Sequence, residues 1–444
     1  MKIYNIASST VMIESNQTRI LMDPWFINGE YYGSWYHTHD IDVDIDFINS
    51  ATHVYISHIH PDHFSRKSLE KLNKNIPVLI HSYASKFLKF NIERLGFEVV
   101  EIEHDEEYKL DSETKIKIFA ADNCNPELCS KFMGCSSVET KYKTTQIDSL
   151  SLIYNNDSSI LNVNDCPYDL ASETIELVKK KYSKQIDLLL VGYAGAGPYP
   201  QCFIMPEDEK IKAAENKRIQ FLEIGIKYIE KVKPKYYMPF AGTYALAGKL
   251  NKLNKYRGVP EIKDALEFYK SKIDFSYGFL LNSFESFDIK KNKFSSTFKS
   301  LSTKEKKSYN EKISNLKLDY EYEKFPEACE IEELVPKAFE RFIKKKEEIN
   351  FYTKTSLIIK ISEIKSVLLN LTKTPSYQIV NNHEINDIEN FVKISLDYRL
   401  LYNILRGPRF AHWNNSEIGS HLVFERKPNI FERGLYHALC FFHS

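Results

Sequence analysis

The apolar positions come in short bursts at the start of the chain. Residues 3–7, 11–14 and 19–22 are separated by Ser-Ser-Thr and Asn-Gln and predict three strands. Thr52-His53-Val54-Tyr55-Ile56-Ser57 has the β-branched, apolar look of a buried strand. The pattern then alternates: helix 66–74, strand 78–81, helix 83–95, and strands 99–102 and 115–121. Strands 150–154 and 160–163 flank Asn155-Asn156-Asp157-Ser158, which is turn chemistry. A helix at 170–183, a strand at 187–191, a long helix at 208–233 and a strand at 236–238 follow. In the long helix Ile211, Ala214, Leu222, Ile226 and Ile229 fall on one face. Such alternation predicts an α/β fold of sheets covered by helices.

Beyond residue 285 the pattern changes. Residues 286–325 are weakly periodic and carry Lys290, Lys291, Lys293, Lys299, Lys304, Lys306 and Lys307, which predicts a linker or surface segment. A helix at 330–348, strands at 357–361 and 377–380, and helices at 398–405 and 428–440 predict a smaller α+β domain. The expected division is therefore 1–285, 286–325 and 326–444.

Composition changes little. At 444 residues, 43% of them hydrophobic, the chain can bury a large core in two or three domains. Sixty basic and sixty acidic residues give no reason to expect nucleic acid or an anionic membrane as partner. No apolar run is long enough to span a bilayer, and Met1-Lys2-Ile3-Tyr4-Asn5 lacks the layout of a signal peptide, so a cytoplasmic location is expected. Seven cysteines in a chain of this length do not form a disulfide scaffold.

The chemistry concentrates in His58-Ile59-His60-Pro61-Asp62-His63, between the strand at 52–57 and a helix that Ser65 would cap. A loop can turn three imidazoles and a carboxylate towards one point, a donor set for zinc, iron or manganese. Residues 25–50 are rich in aromatics, and Trp25 and Trp35 are candidates to line a substrate pocket. His37 and His39 are expected in the same lining or at the surface. Cys124, Cys129 and Cys135 match no zinc module and are expected to pack. In Gly192-Tyr193-Ala194-Gly195-Ala196-Gly197-Pro198-Tyr199, small residues at a strand end let a ligand approach the backbone, so Gly195, Gly197 and Tyr199 are candidate substrate contacts. Arg406, Arg409, His412, Trp413, Asn414, Asn415 and Glu417 form a polar cluster, either a recognition surface or a structural loop.

The pattern His-x-His-x-Asp-His after an apolar strand resembles the signature of the metallo-β-lactamase superfamily. The resemblance implies an αββα sandwich with His58 and His60 at one metal position and Asp62 and His63 at a second. It implies that Asp165, in Asn164-Asp165-Cys166, bridges or completes the second position. Asp23, at the end of the third strand, would orient the metal loop from behind. The further histidines common in the superfamily are absent near 122 and 240. Asp122 is the nearest substitute, followed by Cys124.

Three stretches resemble the CMP-N-acetylneuraminate hydroxylase family: Asn164-Asp165-Cys166, the 193–200 stretch and Met238-Pro239-Phe240-Ala241-Gly242. Two more do so near the C-terminus, Trp413-Asn414-Asn415-Ser416-Glu417-Ile418-Gly419 and Phe424-Glu425-Arg426-Lys427-Pro428. That family adds one oxygen atom to the N-acetyl group of a nucleotide-linked sialic acid, using iron and a Rieske iron–sulfur domain. The paired Cys-x-His and Cys-x-x-His ligands of such a domain do not occur in this sequence.

The resemblance therefore implies an iron-dependent hydroxylase that takes electrons from a separate Rieske-type or ferredoxin partner. One or two ions would sit on His58, His60, Asp62, His63, Asp165 and Asp122, with His60 and Asp62 the catalytic residues. The alternative is a zinc hydrolase of a phosphodiester, ester or amide, in which Asp62 orients or deprotonates a metal-bound water. A binding protein with a decayed site is a third expectation, against which the intact six-residue motif argues.

Overall fold

The computed structural model describes residues 1–83, 86–121, 148–385 and 387–444. Its first sheet runs in the order Lys293–Phe294, Ser286–Asp288, Lys2–Ala7, Thr10–Ser15, Thr18–Met22, His53–Tyr55, Val78–His81, Val99–Ile102. The second runs Tyr277–Gly278, Tyr236–Phe240, Leu188–Gly192, Ser159–Asn162, Ser149–Tyr154, Lys115–Ala120, Glu107–Lys109. Strand residues alternate between faces, so each sheet sends one set of side chains to a shared interior. Ile3, Val11, Ile13, Ile20 and Met22 meet Ile116, Ile118, Ile153, Leu188 and Leu190 there.

The opposite faces are covered by helices. Ile6, Leu21, Val54 and Ile80 pack under Ile48, Leu69, Leu88 and Ile92. Leu152, Leu161, Leu189 and Val191 pack under Leu170, Ile175, Leu222, Ile229 and Leu266. This four-layer αββα arrangement is the sandwich the sequence implies.

Several expected elements are shorter than their patterns. The helix expected over 66–74 is Arg66–Leu69, capped as expected by the Ser65 side chain on Ser68 N. The one expected over 83–95 is Phe87–Glu93. The strand Tyr236–Phe240 continues through Pro239. Its neighbour Tyr277–Gly278 pairs only with Tyr236 and Tyr237, so the proline lies past the point where a donor is needed on that side.

The lysine-rich stretch is built into the surface. Ser286–Asp288 pairs antiparallel with Lys2–Ala7, and Thr303–Ser314 is a helix opened by a Ser302–Glu305 capping box.

The C-terminal part is built on a third sheet, ordered Ser376–Asn381, Lys365–Asn370, Ser356–Lys360, Phe391–Ser395, Val423–Lys427. Its core is continuous with the first part of the chain: Trp25, Trp35, Phe203 and Tyr244 share one cluster with Phe342, Trp413, Phe424 and Phe442. The backbone is joined as well. Phe424 N donates to Cys202 O and Ile204 N to Phe424 O, each at 2.8 Å. The loop after Leu188–Gly192 thus extends the third sheet's edge.

Candidate metal centre

The site forms where strands of both sheets end. The loop after His53–Tyr55 brings His58, His60, Asp62 and His63. The loop after Ser159–Asn162 brings Asp165, and Asp148 stands just before Ser149–Tyr154. Two sets of ligand atoms each lie within 4.8 Å of one another: His58, His63 and Asp165, and His58, His60 and Asp148. Asp62 Oδ2 is 3.6 Å and Asp165 Oδ2 3.4 Å from His63 Nε2. The sequence candidates His58, His60, Asp62, His63 and Asp165 therefore converge.

Asp148 was not among the sequence candidates. Its Oδ1 is 3.1 Å from His58 Nδ1 and it is buried. The signal it offered was weak: an acid immediately before an apolar strand, within no motif. Asp122, Cys124, Cys129 and Cys135 lie outside the described residues.

Asp23 holds the loop from behind. Its carboxylate accepts from Ser57 N at 2.7 Å, from Ser57 Oγ at 2.8 Å and pairs with His63 Nδ1 at 3.0 Å. That leaves His63 Nε2 turned towards the site, the tautomer control expected behind a metal-binding histidine. Asp62 is fixed from the other side, where Tyr31 Oη donates to its Oδ1 at 2.5 Å. Asp23 and Asn164 both have φ near +45°, at 44° and 45°, a conformation that Asn and Asp adopt more readily than other side chains.

Electrostatics fit a cation. Burial pushes the Asp148 carboxyl up to about 7, with the Asp165 charge adding to the effect. Burial also raises Asp62. Burial opposes charge on His63 too, yet Asp165, Asp23 and Asp62 together lift it well above the usual imidazole range. His58 and His60 are lowered by burial. Buried carboxylates crowded around imidazoles repel each other unless a positive charge stands among them. His63 Nε2 is a buried atom with no hydrogen bond among the described residues, aimed where that charge would sit. The donor set fits one or two divalent ions.

Other expected contacts sit elsewhere. Trp25 and Trp35 are not on an open pocket wall: they are 0% and 2% exposed. Trp35 stacks on Tyr244 at 3.5 Å and leans on Tyr31 at 4.6 Å, so these rings support the residue that holds Asp62. His37 packs on Trp25 at 4.3 Å, and neither His37 nor His39 belongs to a ligand group among the described residues.

Gly195 is a packing position, since a Cβ there would lie 2.5 Å from the Phe221 ring. Gly197, at φ +113°, faces open space. Tyr199 is partly exposed beside it. From the C-terminal cluster, Asn414 stands near the His60 ring, where it partly offsets the lowering of that imidazole by burial. His421 Nε2 lies 2.7 Å from Tyr31 O. Trp413 is instead a core residue whose Nε1 donates to Phe442 O at 2.8 Å.

A model of the beta-lactamase superfamily domain matches residues 2–129. Together with the four layers and the strand-end ligands, it defines the class: a metallo-β-lactamase fold with a candidate metal centre. Within that class the chain is 27% identical over 270 residues to a putative Rieske 2Fe-2S iron-sulfur protein of Mycolicibacterium smegmatis, a match spanning 59% of this chain and 47% of the relative. It is 24% identical over 253 residues to the cytidine monophosphate-N-acetylneuraminic acid hydroxylase of Danio rerio, spanning 54% of this chain and 38% of that one. The chain thus spans less than half the length of these relatives. Among solved structures it is similar to a possible metal-dependent hydrolase from Veillonella parvula, with a TM-score of 0.44 and 14% identity over 64% of this chain and 98% of the other. No helix among the described residues is long and apolar enough to cross a membrane.

Proposed function

We propose that the protein is an iron-dependent hydroxylase of a nucleotide-linked or otherwise anionic, sugar-like substrate, with electrons supplied by a separate Rieske-type or ferredoxin partner. The observation that carries this reading is the donor set. Three histidines, His58, His60 and His63, converge with three carboxylates, Asp62, Asp148 and Asp165. Asp148 supplies oxygen close to His58 and His60, at the metal position where the superfamily resemblance implies a further histidine. Such oxygen-rich sites suit iron or manganese more than a nitrogen-rich set does. Relatives described as a hydroxylase and as a Rieske protein support the same direction.

His58, His60 and Asp148 would hold one ion and Asp62, His63 and Asp165 the second. When bound, iron supplies the one-electron and dioxygen chemistry that side chains lack. The chain's own residues do the rest. Tyr31 and Asp23 fix Asp62 and His63 in orientation. Asn414, from the C-terminal part, stands near the His60 ring. The 192–201 loop begins beside the ligand loop, with Gly192 against Asn164 O, and leads substrate towards it.

The test is turnover of CMP-N-acetylneuraminate with a reductant and ferredoxin under labelled dioxygen. Label in the product supports the hydroxylase. A zinc hydrolase is the second reading, favoured by Asp62, which Tyr31 holds at the edge of the site where it can orient an attacking water. In that case a product forms without dioxygen and takes its oxygen from water.

A further inference from the structure

The ring that grips Asp62 stands on a left-handed stretch of backbone. In Gly29-Glu30-Tyr31-Tyr32-Gly33, Gly33 has φ +83°, which suits glycine. Tyr31 (φ 49°, ψ 57°) and Tyr32 (φ 59°, ψ 38°) share that region without being glycine. A bulky residue seldom adopts it, because its Cβ crowds the following carbonyl, and two in succession are rarer still. Such a segment persists only where its surroundings over-determine it. Part of the hold is local: Gly33 N donates to Gly29 O at 3.2 Å and Ser34 N to Glu30 O at 3.1 Å.

The rest comes from the C-terminal part, 380 and 390 residues further along the chain. His412 N donates to Tyr32 Oη, and His421 Nε2 meets Tyr31 O, each at 2.7 Å. A carbonyl only accepts, so His421 carries its proton on Nε2, and its Nδ1 accepts from Tyr320 Oη at 3.1 Å. Burial lowers this imidazole to about 4, which keeps it neutral with a single N–H. Ser34 Oγ donates to the same carbonyl at 2.9 Å. Gly419 permits the approach: a Cβ there would lie 2.9 Å from Tyr31 Cβ and 2.7 Å from His421 Cδ2.

The consequence falls on Asp62. Tyr31 Oη occupies its Oδ1, which leaves Oδ2 3.6 Å from His63 Nε2. Trp35 sets the Tyr31 ring from its other side, with centroids 4.6 Å apart. The clamp on the Tyr31 backbone thus selects the carboxylate oxygen that faces the site. We propose that His421 is a positioning residue of the metal centre: by holding Tyr31 O it keeps Tyr31 Oη on Asp62, and so makes the C-terminal part necessary for tight binding of the ion that Asp62 serves. The inference rests on Asp62 acting as a ligand, as proposed above, and on neither choice of reaction.

The test is titration of the full-length, metal-free protein with cobalt(II), read from its visible absorption. Tyr31→Phe and His421→Leu are each expected to weaken binding at the Asp62 position roughly 10–100-fold and to alter the cobalt bands. His421→Gln, which keeps an N–H, should bind within about threefold of the unmodified protein. The double variant Tyr31→Phe/His421→Leu should bind no more weakly than the weaker single variant, because both act on one hydrogen bond. A merely structural histidine would give losses that multiply, and that result overturns the inference. So do variants that are folded by circular dichroism and bind cobalt as tightly, with the same bands, as the unmodified protein. If His421→Leu does not fold, Tyr320→Phe takes its place in the cycle: it removes the donor to Nδ1 and keeps the ring, with an expected loss of roughly 3–10-fold. Failure of the unmodified protein to take up cobalt removes the metal centre and this inference with it. Normal uptake with unchanged variants removes this inference alone.

Discussion

Under the proposed reading, Asp148 is the residue on which a second ion would depend. It completes the group with His58 and His60, whereas His63 and Asp165 are grouped through His58. Asp148→Ala is expected to lower metal content by about one ion per chain and to leave binding at the other position, measured by elemental analysis after dialysis. Tyr31→Phe removes a donor to Asp62 while keeping the ring against Trp35. It should lower activity roughly 10–100-fold with the fold unchanged, the usual effect of losing a group that orients a ligand. An unchanged kcat would show that Tyr31 does not position Asp62. The contrast between these residues explains what could be read in advance. His58, His60, Asp62 and His63 sit within six residues, so a motif exposes them. Asp148 reaches them only because Ser149–Tyr154 is hydrogen-bonded to Lys115–Ala120, and Tyr55 Oη contacts Ser149. No local pattern records that pairing. Trp25 and Trp35 illustrate the reverse: their composition suggests a pocket wall, but the C-terminal part covers them and makes them core.

Among the elements, those with strong periodicity were legible and those defined by neighbours were not. The helices Glu207–Val232 and Tyr398–Leu405 fall within a residue of their expected bounds, because a long or strongly amphipathic stripe marks itself. Lys365–Asn370, Phe391–Ser395 and Val423–Lys427 were not foreseen as strands. They are short, and their partners are distant in sequence. The turn after Tyr236–Phe240 has a requirement of its own. Gly242 has φ +85°, and a Cβ there would lie 2.8 Å from Ala194 Cβ and 3.1 Å from Ala194 N. Since backbone as well as side chain blocks the space, Gly242→Ala should cost about 1–3 kcal/mol and lower the Tm by several degrees. An unshifted melting curve would mean that the two loops separate without penalty.

On the scale of the whole molecule, the continuous core through Trp35, Tyr244, Phe203 and Phe424 ties the C-terminal part to the metal-binding part. The sequence shows a change of pattern beyond residue 285 but not this shared interior, which also brings Asn414 near the His60 ring. Stability should carry the mark of a buried acid on that side. Burial raises the Glu30 carboxyl to about 7, and Ser65, which donates to it at 2.6 Å, offsets this only in part. The folded state therefore keeps a proton that the unfolded chain releases near pH 4.5. The stabilising contribution is complete below that pH and is lost as pH rises towards 7, by about 3 kcal/mol. Glu30→Gln should flatten this part of the stability profile, read from urea midpoints at pH 5 and pH 8. Equal slopes in both proteins would show that Glu30 is ionised in the fold.

The most direct test of the central claim is elemental analysis of protein purified without air and without added metal, alongside His60→Ala. The account predicts one or two irons per chain, with that content lost or sharply reduced in the variant. Zinc at the same stoichiometry would contradict the hydroxylase and favour the hydrolase. No metal in either protein, and no uptake of added iron or zinc, would contradict the metal centre itself.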